Sequence, residues 1–489
     1  MHERLYRWLR AHFSWLGFIA ILLFLNGFVL SALTSRPPLW YDEGMNIELA
    51  RNFADIGKLD IAIAPGDYTG GAIIGSTGYP VTVPLAFFFK FFGFGLAQAR
   101  VFMLLWLNLL MFSLFYIFKK RWGSAISLSA TALLATFAPL YANGNTVMGE
   151  IPGFVLFLWS FYFFEKRTYW FSGLLLGLAV IAKPSIYVFL IPAITILALC
   201  GDGLWSKKIT NLIKLGLGAS MIPILIWLLL YYRELESGVI GAIGSHFKNP
   251  YSSVGLSVSE NIYSNLSSFF NSTTLIYFLL LGIFILYVIT KHREIYTAEK
   301  KLFLFSAIYI PLVFFQYLKS LGYLRYLITA ECLILILFVY VSYNFTGRER
   351  FFQKEFVKHI RFAPIFLGVL ILLQGIQLFY FSDLYSSSKV QHAISYLDTA
   401  YPYATMGIIN SPMIASMIPA DKKYQLLETY GLPRFGKNPL ELAQEKMPEV
   451  LVIDEKSRYL IARQEDILAS HYAFDRKLDG GILIYRKEQ

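Results

Sequence analysis

Apolar runs long enough to cross a lipid bilayer recur along most of this chain, and they constrain its fold more than any other feature. A transmembrane helix needs about 20 predominantly apolar residues. Only 15% of the 489 residues are charged, whereas a soluble protein carries roughly a quarter. The runs lie at 15–33, 101–118, 124–141, 151–164, 170–182, 186–200, 213–232, 272–290, 302–318, 325–342 and 363–381. We therefore predict an all-α polytopic membrane protein with about 11 transmembrane helices.

The net charge of +11 is carried by short basic clusters between the apolar runs. Such clusters are typical of cytoplasmic loops at an anionic membrane surface, so we expect no nucleic-acid partner. Arg4, Arg7 and Arg10 precede the first run, which is longer than the apolar core of a signal peptide. We predict that this run is an uncleaved anchor with the N-terminus in the cytoplasm.

The region 170–200 admits two interpretations, either two short spans joined by a tight turn at Lys183-Pro184-Ser185 or one long helix bent at Pro184. Basic residues concentrate on the cytoplasmic side of a membrane protein. With two spans, all the basic clusters fall on the same side: 4–10, 119–121, 166–167, 207–208, 291–301 and 348–361. With one span, every cluster after residue 200 moves to the outside. The charge pattern favours two spans and an odd number of helices.

The predicted topology places four segments on the outer face. They are a first outer loop at 34–97, a turn at 143–150, a loop at 233–271 and the tail after 383. In the first outer loop, 46–56 is predicted to be an amphipathic helix, and the proline-containing apolar stretch 79–94 suits a helix in the plane of the membrane interface.

A change of composition near residue 384 divides the chain into a transmembrane domain, 1–383, and a small soluble α/β domain, 384–489. The tail is charged and mixed, and Gly480-Gly481 marks a turn. Its predicted strands are 450–453 and 482–485, and its predicted helices are 388–397, 439–446 and 464–472. Long translocated tails are exempt from the charge bias, so its lysines are compatible with an extracytoplasmic position.

Asp42 and Glu43 follow the first helix directly. A carboxylate at the membrane surface is suited to act as general base on an acceptor hydroxyl. The alternative is that one of them caps a helix beginning near Gly44. Spacing alone favours the helix cap.

Glu150 and Lys183 lie at the mouths of two other outward turns. A carboxylate within the membrane costs free energy unless it is paired or solvated, which makes Glu150 a candidate for the site. The alternative is that the dipole of a helix N-terminus stabilises it. Lys183 is the single charge between two apolar runs and is placed to bind a lipid phosphate. A lysine that reaches from a helix end to the interface is the alternative.

Further cationic and aromatic residues lie on the same face. Arg325 and Tyr326 can bind a phosphate, or they can form a topological stop signal and aromatic belt with Tyr323. In the loop 233–271, Lys248 is a further phosphate-binding candidate, and His246 is either a surface histidine or a metal ligand. A divalent metal held by Asp42, Glu150 and His246, with or without Glu43, stays open, because no ligand spacing identifies one.

The joint placement of acids and cations on one face is more specific than any single residue. Transfer of a sugar from a lipid phosphate needs a base for the acceptor and fixed positive charge for the departing phosphate. The lipid tail stays in the bilayer, so the reacting bond is presented at the interface.

Several motifs, in order, resemble the multi-helix C-type glycosyltransferases. The similarity is greatest to the branch of protein O-mannosyltransferases and aminoarabinose transferases of lipid A. The matching segments are 39–51 (LWYDEGMNIELAR), 78–80 with 92–100, 147–152 (VMGEIP), 177–183 (GLAVIAK) and 324–327 (LRYL). Tyr79-Pro80 stands where aminoarabinose transferases carry Glu-Lys-Pro, so sugar and acceptor specificity do not transfer from that branch.

The resemblance implies an enzyme that uses a polyprenyl-phosphate sugar and inverts the anomeric centre. It assigns the role of base to Asp42, with Glu43 beside it, and the second-loop acidic position to Glu150. It matches Lys183 to the lysine that ends a Gly-Leu-rich helix, and Arg325 and Tyr326 to the late Arg-Tyr motif. The acceptor is a glycan, lipid or protein hydroxyl on the outer face, which suits modification of lipopolysaccharide, another envelope glycan or a protein.

The rival hypothesis from another class is a flippase or transporter of lipid-linked glycan. It predicts ionisable residues in mid-membrane and two repeated halves with broken helices. Few charges, among them Glu331, lie in mid-span, and the sequence has no internal repeat. A structural scaffold for an envelope complex is the third reading and rests on the soluble tail alone. The charge pattern suits a bacterial inner membrane.

Overall fold

The fold consists mainly of α-helices. A computed structural model describes residues 2–68, 77–201, 204–231, 257–320, 323–346, 362–427, 447–455, 457 and 471–488. The helices of the first half are α1 (His2–Leu30), α2 (Tyr41–Ile56), α3 (Tyr79–Phe92), α4 (Leu96–Trp122), α5 (Ser124–Ala135), α6 (Ala138–Gly144), α7 (Glu150–Glu165), α8 (Tyr169–Ala182), α9 (Pro184–Tyr187) and α10 (Leu190–Leu199). Those of the second half are α11 (Trp205–Tyr231), α12 (Val258–Asn271), α13 (Thr273–Lys291), α14 (Arg293–Ala298), α15 (Lys300–Lys319), α16 (Ile328–Thr346), α17 (Phe362–Leu384), α18 (Lys389–Ala400) and α19 (Pro412–Ala415).

Helical structure coincides with every one of the predicted apolar runs. Among the described residues, seven helices are long and apolar enough to cross a membrane, or up to eight if a bent pair is one span. The bent pair is α5 and α6, whose axes differ by 67°. The remaining predicted spans correspond to the shorter helices α7, α8 and the α9–α10 pair. The chain is therefore a multi-pass membrane protein.

The helix α8 ends where the sequence predicted a turn. Lys183 has an extended backbone, with φ −152° and ψ 85°, and separates α8 from α9. The next residue, Pro184, occupies the first position of α9, where its missing N–H costs nothing. The helices on the two sides of Lys183 are consequently distinct elements.

The first outer loop contains two helices and a short hairpin. Helix α2 begins at Tyr41, five residues before the predicted start of the amphipathic helix, and ends at Ile56, which is followed by Gly57 in the left-handed conformation with φ 73°. The strands β1 (Ala62–Ala64) and β2 (Asp67–Tyr68) pair antiparallel. Helix α3 corresponds to the predicted apolar stretch and contains Pro84.

The C-terminal region forms a five-stranded mixed sheet. Its strands are β3 (Met406–Ile409), β4 (Lys423–Leu426), β5 (Val450–Asp454), β6 (Tyr472–Leu478) and β7 (Ile482–Lys487), in the order β4-β3-β5-β7-β6. Strand β3 is parallel to both of its neighbours, and β7 is antiparallel to both of its own. Gly480 and Gly481, with φ 92° and 81°, form the predicted turn between β6 and β7.

The predicted strands 450–453 and 482–485 and the predicted helix 388–397 correspond to β5, β7 and α18. The predicted helix 464–472 is wrong at its last residue, because Tyr472 begins β6. Its earlier part and the predicted helix 439–446 lie almost entirely outside the described residues. Buried side chains of α18, β3 and β5, including Leu397, Ile408 and Val452, form the core on one face of the sheet.

Candidate functional site

The first turn of α2 carries the acidic pair. Trp40 occupies the N-cap position, and its side chain makes no capping hydrogen bond. Asp42 and Glu43 lie inside the helix, so the interpretation that one of them caps it is wrong. Adjacent helical residues point about 100° apart. The two carboxylates therefore reach different partners.

Glu43 forms a buried ion pair with Arg100 of α4. The Arg100 Nε and Nη2 atoms lie 3.0 and 2.8 Å from the two carboxylate oxygens, and both side chains are fully buried. Arg100 Nη1 also donates to the carbonyl oxygens of Leu33 and Pro37 at 3.0 and 2.7 Å. Through these contacts Arg100 joins α2 and the segment between α1 and α2 to helix α4.

Asp42 instead belongs to a cluster of four charged side chains. Its Oδ2 atom accepts a hydrogen bond from Arg325 Nη2 at 2.6 Å. Arg325 Nε lies 3.9 Å from Glu150 Oε1, and that oxygen lies 3.4 Å from Lys183 Nζ. Residues 42, 150, 183 and 325 come from four separate segments of the chain, and the fold brings them together in alternating order of charge.

Burial differs across this cluster. The Asp42 side chain is 26% exposed, whereas the side chain of Glu150 is 0% exposed. Burial lowers the pKa of Lys183, which lies between α8 and α9, and the Glu150 carboxylate opposes that shift by favouring the ammonium form. Asp42 is thus the carboxylate of the cluster that a molecule from outside can contact.

Aromatic rings surround the guanidinium group of Arg325. Its central carbon lies 4.2 Å from the ring centroid of Trp40, 4.7 Å from that of Tyr323 and 5.6 Å from that of Tyr326. The buried Nε and Nη1 groups donate no hydrogen bond of normal geometry to a described residue. The aromatic rings orient the planar group, whose Nε faces Glu150 at 3.9 Å and whose buried Nη1 has no hydrogen-bond partner among the described residues.

The turn before Glu150 fits closely against the end of α8. A Cβ atom on Gly149 would lie 1.9 Å from the Ala182 carbonyl oxygen and 3.1 Å from Lys183 Cβ. Gly78 meets the same helix end, with its N–H donating to the Ala182 oxygen at 3.3 Å. The glycines allow the first and second outer segments to approach Lys183.

We expect Gly149→Ala to destabilise the protein by about 1 to 3 kcal/mol, because the added methyl group clashes with backbone. Gly149 has φ −83°, so the effect reports the clash and not backbone strain. Thermal unfolding in detergent measures it. Gly27→Ala in α1 is the matched control, since nothing lies within 4 Å of its Cβ position. Equal melting temperatures for Gly149→Ala and the control would contradict the packing argument.

Two predicted residues, His246 and Lys248, lie outside the described residues. Within the part of the chain that the structure describes, no three His, Cys, Asp or Glu side chains are gathered so that they hold a metal ion. Tyr326 is buried beside Arg325. The metal hypothesis and the role of Lys248 stay predictions.

The sequence analysis gave no role in the site to Tyr187, placed Arg100 only within a matching segment, and did not predict the contact of Trp40 with Arg325. The Tyr187 hydroxyl donates to the Glu150 carbonyl oxygen and lies 3.0 Å from Thr329 Oγ1, so it ties α7 and α9 to α16. The position of Arg100 directly before the apolar run 101–118 was a signal in the sequence, because a charge in an apolar environment is costly unless it is paired.

Comparison with known proteins agrees with this architecture. Residues 81–227 match the family model of dolichyl-phosphate-mannose-protein mannosyltransferases, a stretch that contains Glu150 and Lys183 but neither Asp42 nor Arg325. Curated protein sequences give no match.

Solved structures extend the similarity to the whole chain. ArnT from Cupriavidus metallidurans, bound to undecaprenyl phosphate, is 12% identical with a TM-score of 0.63, covering 97% of this chain and 98% of that one. Its apo state gives a TM-score of 0.59 at 12% identity and the same coverage. The oligosaccharyltransferase of Archaeoglobus fulgidus, tethered with an acceptor peptide, is 13% identical with a TM-score of 0.53, covering 99% and 75%.

These matches confirm the resemblance to the multi-helix C-type glycosyltransferases. They show that the chain has the fold of ArnT, with a small C-terminal sheet domain, and that residues 81–227 are similar to a family of mannosyltransferases.

Proposed function

We propose that the protein transfers a sugar from a polyprenyl-phosphate donor to a hydroxyl acceptor, with Asp42 as general base. The observation that carries this proposal is the cluster of Asp42, Arg325, Glu150 and Lys183 at the ends of helices. It joins one accessible carboxylate to two buried cations. A group transfer that removes a proton from a hydroxyl group needs a base, and one that releases a phosphate needs positive charge to stabilise it.

Arg325 and Lys183 are the proposed binding groups for the donor phosphate. The Glu150 carboxylate lies between the two cations, and the Nη1 group of Arg325, beside the Trp40 ring, makes no hydrogen bond with a described residue. A guanidinium group with free donors is suited to a phosphate oxygen. The structure of ArnT with undecaprenyl phosphate supports a lipid phosphate as the donor in this fold. Tyr326 and Lys248 are proposed as further donor contacts.

The proposed reaction is a single displacement at the anomeric carbon. Asp42 takes the proton of the acceptor hydroxyl as its oxygen forms a bond to that carbon. The bond from the carbon to the phosphate oxygen breaks, and its electron pair leaves with polyprenyl phosphate. Arg325 and Lys183 stabilise the negative charge that develops on this leaving group. Attack from the side opposite to the leaving group inverts the configuration.

The three acidic residues take different roles in this proposal. Asp42 alone is partly exposed and can reach an acceptor. Glu150 is buried between the two cations. Both oxygens of Glu43 are already engaged in its bidentate contact with Arg100. We therefore assign Glu43 and Glu150 to positioning and Asp42 to proton transfer.

The basic clusters support an orientation in which the N-terminus is cytoplasmic and the site faces outward, in a bacterial inner membrane. In this orientation the acceptor is a glycan, lipid or protein hydroxyl of the cell envelope.

The test uses the purified full chain in proteoliposomes with labelled polyprenyl-phosphate sugars, supplied separately with a mannosyl, an aminoarabinosyl or a glucosyl group. Envelope lipid, glycan and protein fractions serve as acceptors. We expect the labelled sugar of one donor to appear in one acceptor fraction, with release of free polyprenyl phosphate. A donor that crosses between leaflets without being consumed would instead establish the flippase hypothesis and overturn the proposal.

A further inference from the structure

Helix α2 has a second buried ion pair, and its partner lies in the C-terminal domain. Glu48 Oε1 lies 2.6 Å from Lys423 Nζ, and the two side chains are 0% and 1% exposed. Lys423 also donates to the Ala415 carbonyl oxygen at 2.9 Å, and Glu48 Oε1 accepts the Ala62 N–H at 3.0 Å. One carboxylate thus joins α2, the hairpin of β1 and β2, and strand β4 of the soluble sheet.

Two further contacts fix the same helix against the same domain. Arg51 Nη1 donates to the carbonyl oxygens of Ser416 and Ile418, both at 3.0 Å. At the other end of the helix, a Cβ atom on Gly44 would lie 2.6 Å from the Met413 backbone nitrogen and Cα. The backbones of α2 and α19 are therefore in direct contact, two residues from Asp42.

The geometry of a helix couples these contacts to the candidate site. Asp42 and Glu48 are six residues apart on one helix, a separation of about 9 Å along its axis at 1.5 Å per residue. A buried ion pair resists displacement, because separating its partners leaves an uncompensated charge. Burial lowers the pKa of Lys423, and Glu48 opposes that shift by favouring the ammonium form.

We propose that Glu48 and Lys423 are positioning residues through which the C-terminal domain holds Asp42 at its working distance from Arg325. The proposal rests on the proposed function, because it gives the pair a role in that reaction. It makes the soluble domain part of the catalytic unit. It also implies that a substrate or partner that shifts this domain alters turnover.

The test is Lys423→Met in the full chain. We expect the turnover number to fall roughly 10- to 100-fold, because a misplacement of about 1 Å costs up to that much. The KM for the lipid-linked sugar is expected to stay within about three-fold, since Arg325 and Lys183 do not contact Lys423. Amide hydrogen exchange in 41–56 is expected to accelerate, a readout that does not require activity.

Lys477→Met is the matched control. Lys477 pairs with Glu455 in the same domain, at 2.8 Å, but the two side chains are 54% and 48% exposed. Such an exposed pair contributes little, so we expect turnover and exchange in 41–56 to equal those of the wild type. If Lys423→Met does not fold, Arg51→Gln removes the contacts to Ser416 and Ile418 and takes its place.

The outcomes separate the two proposals. A folded Lys423→Met protein with the turnover and the α2 exchange of the wild type would overturn the positioning role. A wild-type protein that consumes no lipid-linked sugar would overturn the proposed function, and the exchange experiment would then still decide whether the C-terminal domain holds α2. If Lys423→Met raises KM by the same factor by which it lowers the turnover number, and exchange in 41–56 is unchanged, Lys423 acts in substrate binding instead.

Discussion

Asp42→Asn is expected to lower the rate of sugar transfer by roughly 100- to 10,000-fold, the usual contribution of a general base. The amide has nearly the shape of the carboxylate, and its oxygen can still accept the hydrogen bond from Arg325 Nη2. It cannot take a proton from the acceptor hydroxyl. The measurement is the single-turnover rate in proteoliposomes, together with the KM for the lipid-linked sugar, which is expected to change little.

Asp55→Asn on the same helix is the matched control for this substitution. Asp55 is 63% exposed and lies 3.7 Å from Arg51, so it carries the same chemical change away from the site. We expect its transfer rate to equal that of the wild type. A folded Asp42→Asn protein that transfers sugar as fast as Asp55→Asn would show that another group takes the proton.

Arg100→Met is expected to destabilise the protein by about 3 to 5 kcal/mol, because it leaves the Glu43 carboxylate buried without its partner. It also removes the hydrogen bonds to Leu33 and Pro37. The free energy of unfolding, measured by denaturant in detergent micelles, reports the effect. The double variant Glu43→Gln/Arg100→Met is expected to lose less than the single variant, because it buries no unpaired charge.

Lys90→Met provides the control for removal of a cation from this region, since Lys90 is exposed in the last turn of α3. Its stability is expected to stay within about 0.5 kcal/mol of the wild type. Equal stabilities of Arg100→Met and Lys90→Met would show that the buried pair does not hold the first outer loop to α4.

The positions of the helices were predictable because a bilayer imposes a local condition. Each span must be a continuous apolar run, so 101–118 or 302–318 can be recognised without knowledge of any partner. The C-terminal sheet was predicted only in part, because no comparable local condition applies to each of its strands. The strands β5 and β7 are nearly uniform apolar runs, whereas Lys423–Leu426 and Tyr472–Leu478 mix charged and apolar residues, and only pairing with neighbouring strands identifies them.

For the site, the sequence indicated the residues but not their partners. The charge pattern placed Asp42, Glu150, Lys183 and Arg325 on one face of the membrane, and the structure brings these four together. The helix cap was wrong because α2 starts earlier, at Tyr41. That start determines which way each carboxylate points, and it separates Asp42 from Glu43.

By itself, the sequence determined that this chain crosses the membrane many times, where its helices lie, that a small α/β region follows them, and that Asp42, Glu150, Lys183 and Arg325 are candidate site residues. Only the tertiary structure decided that Glu43 pairs with Arg100, Asp42 with Arg325 and Glu48 with Lys423. The physical reason is range. Hydrophobicity acts on each segment independently, whereas an ion pair between residues 48 and 423 depends on the packing of everything that lies between them.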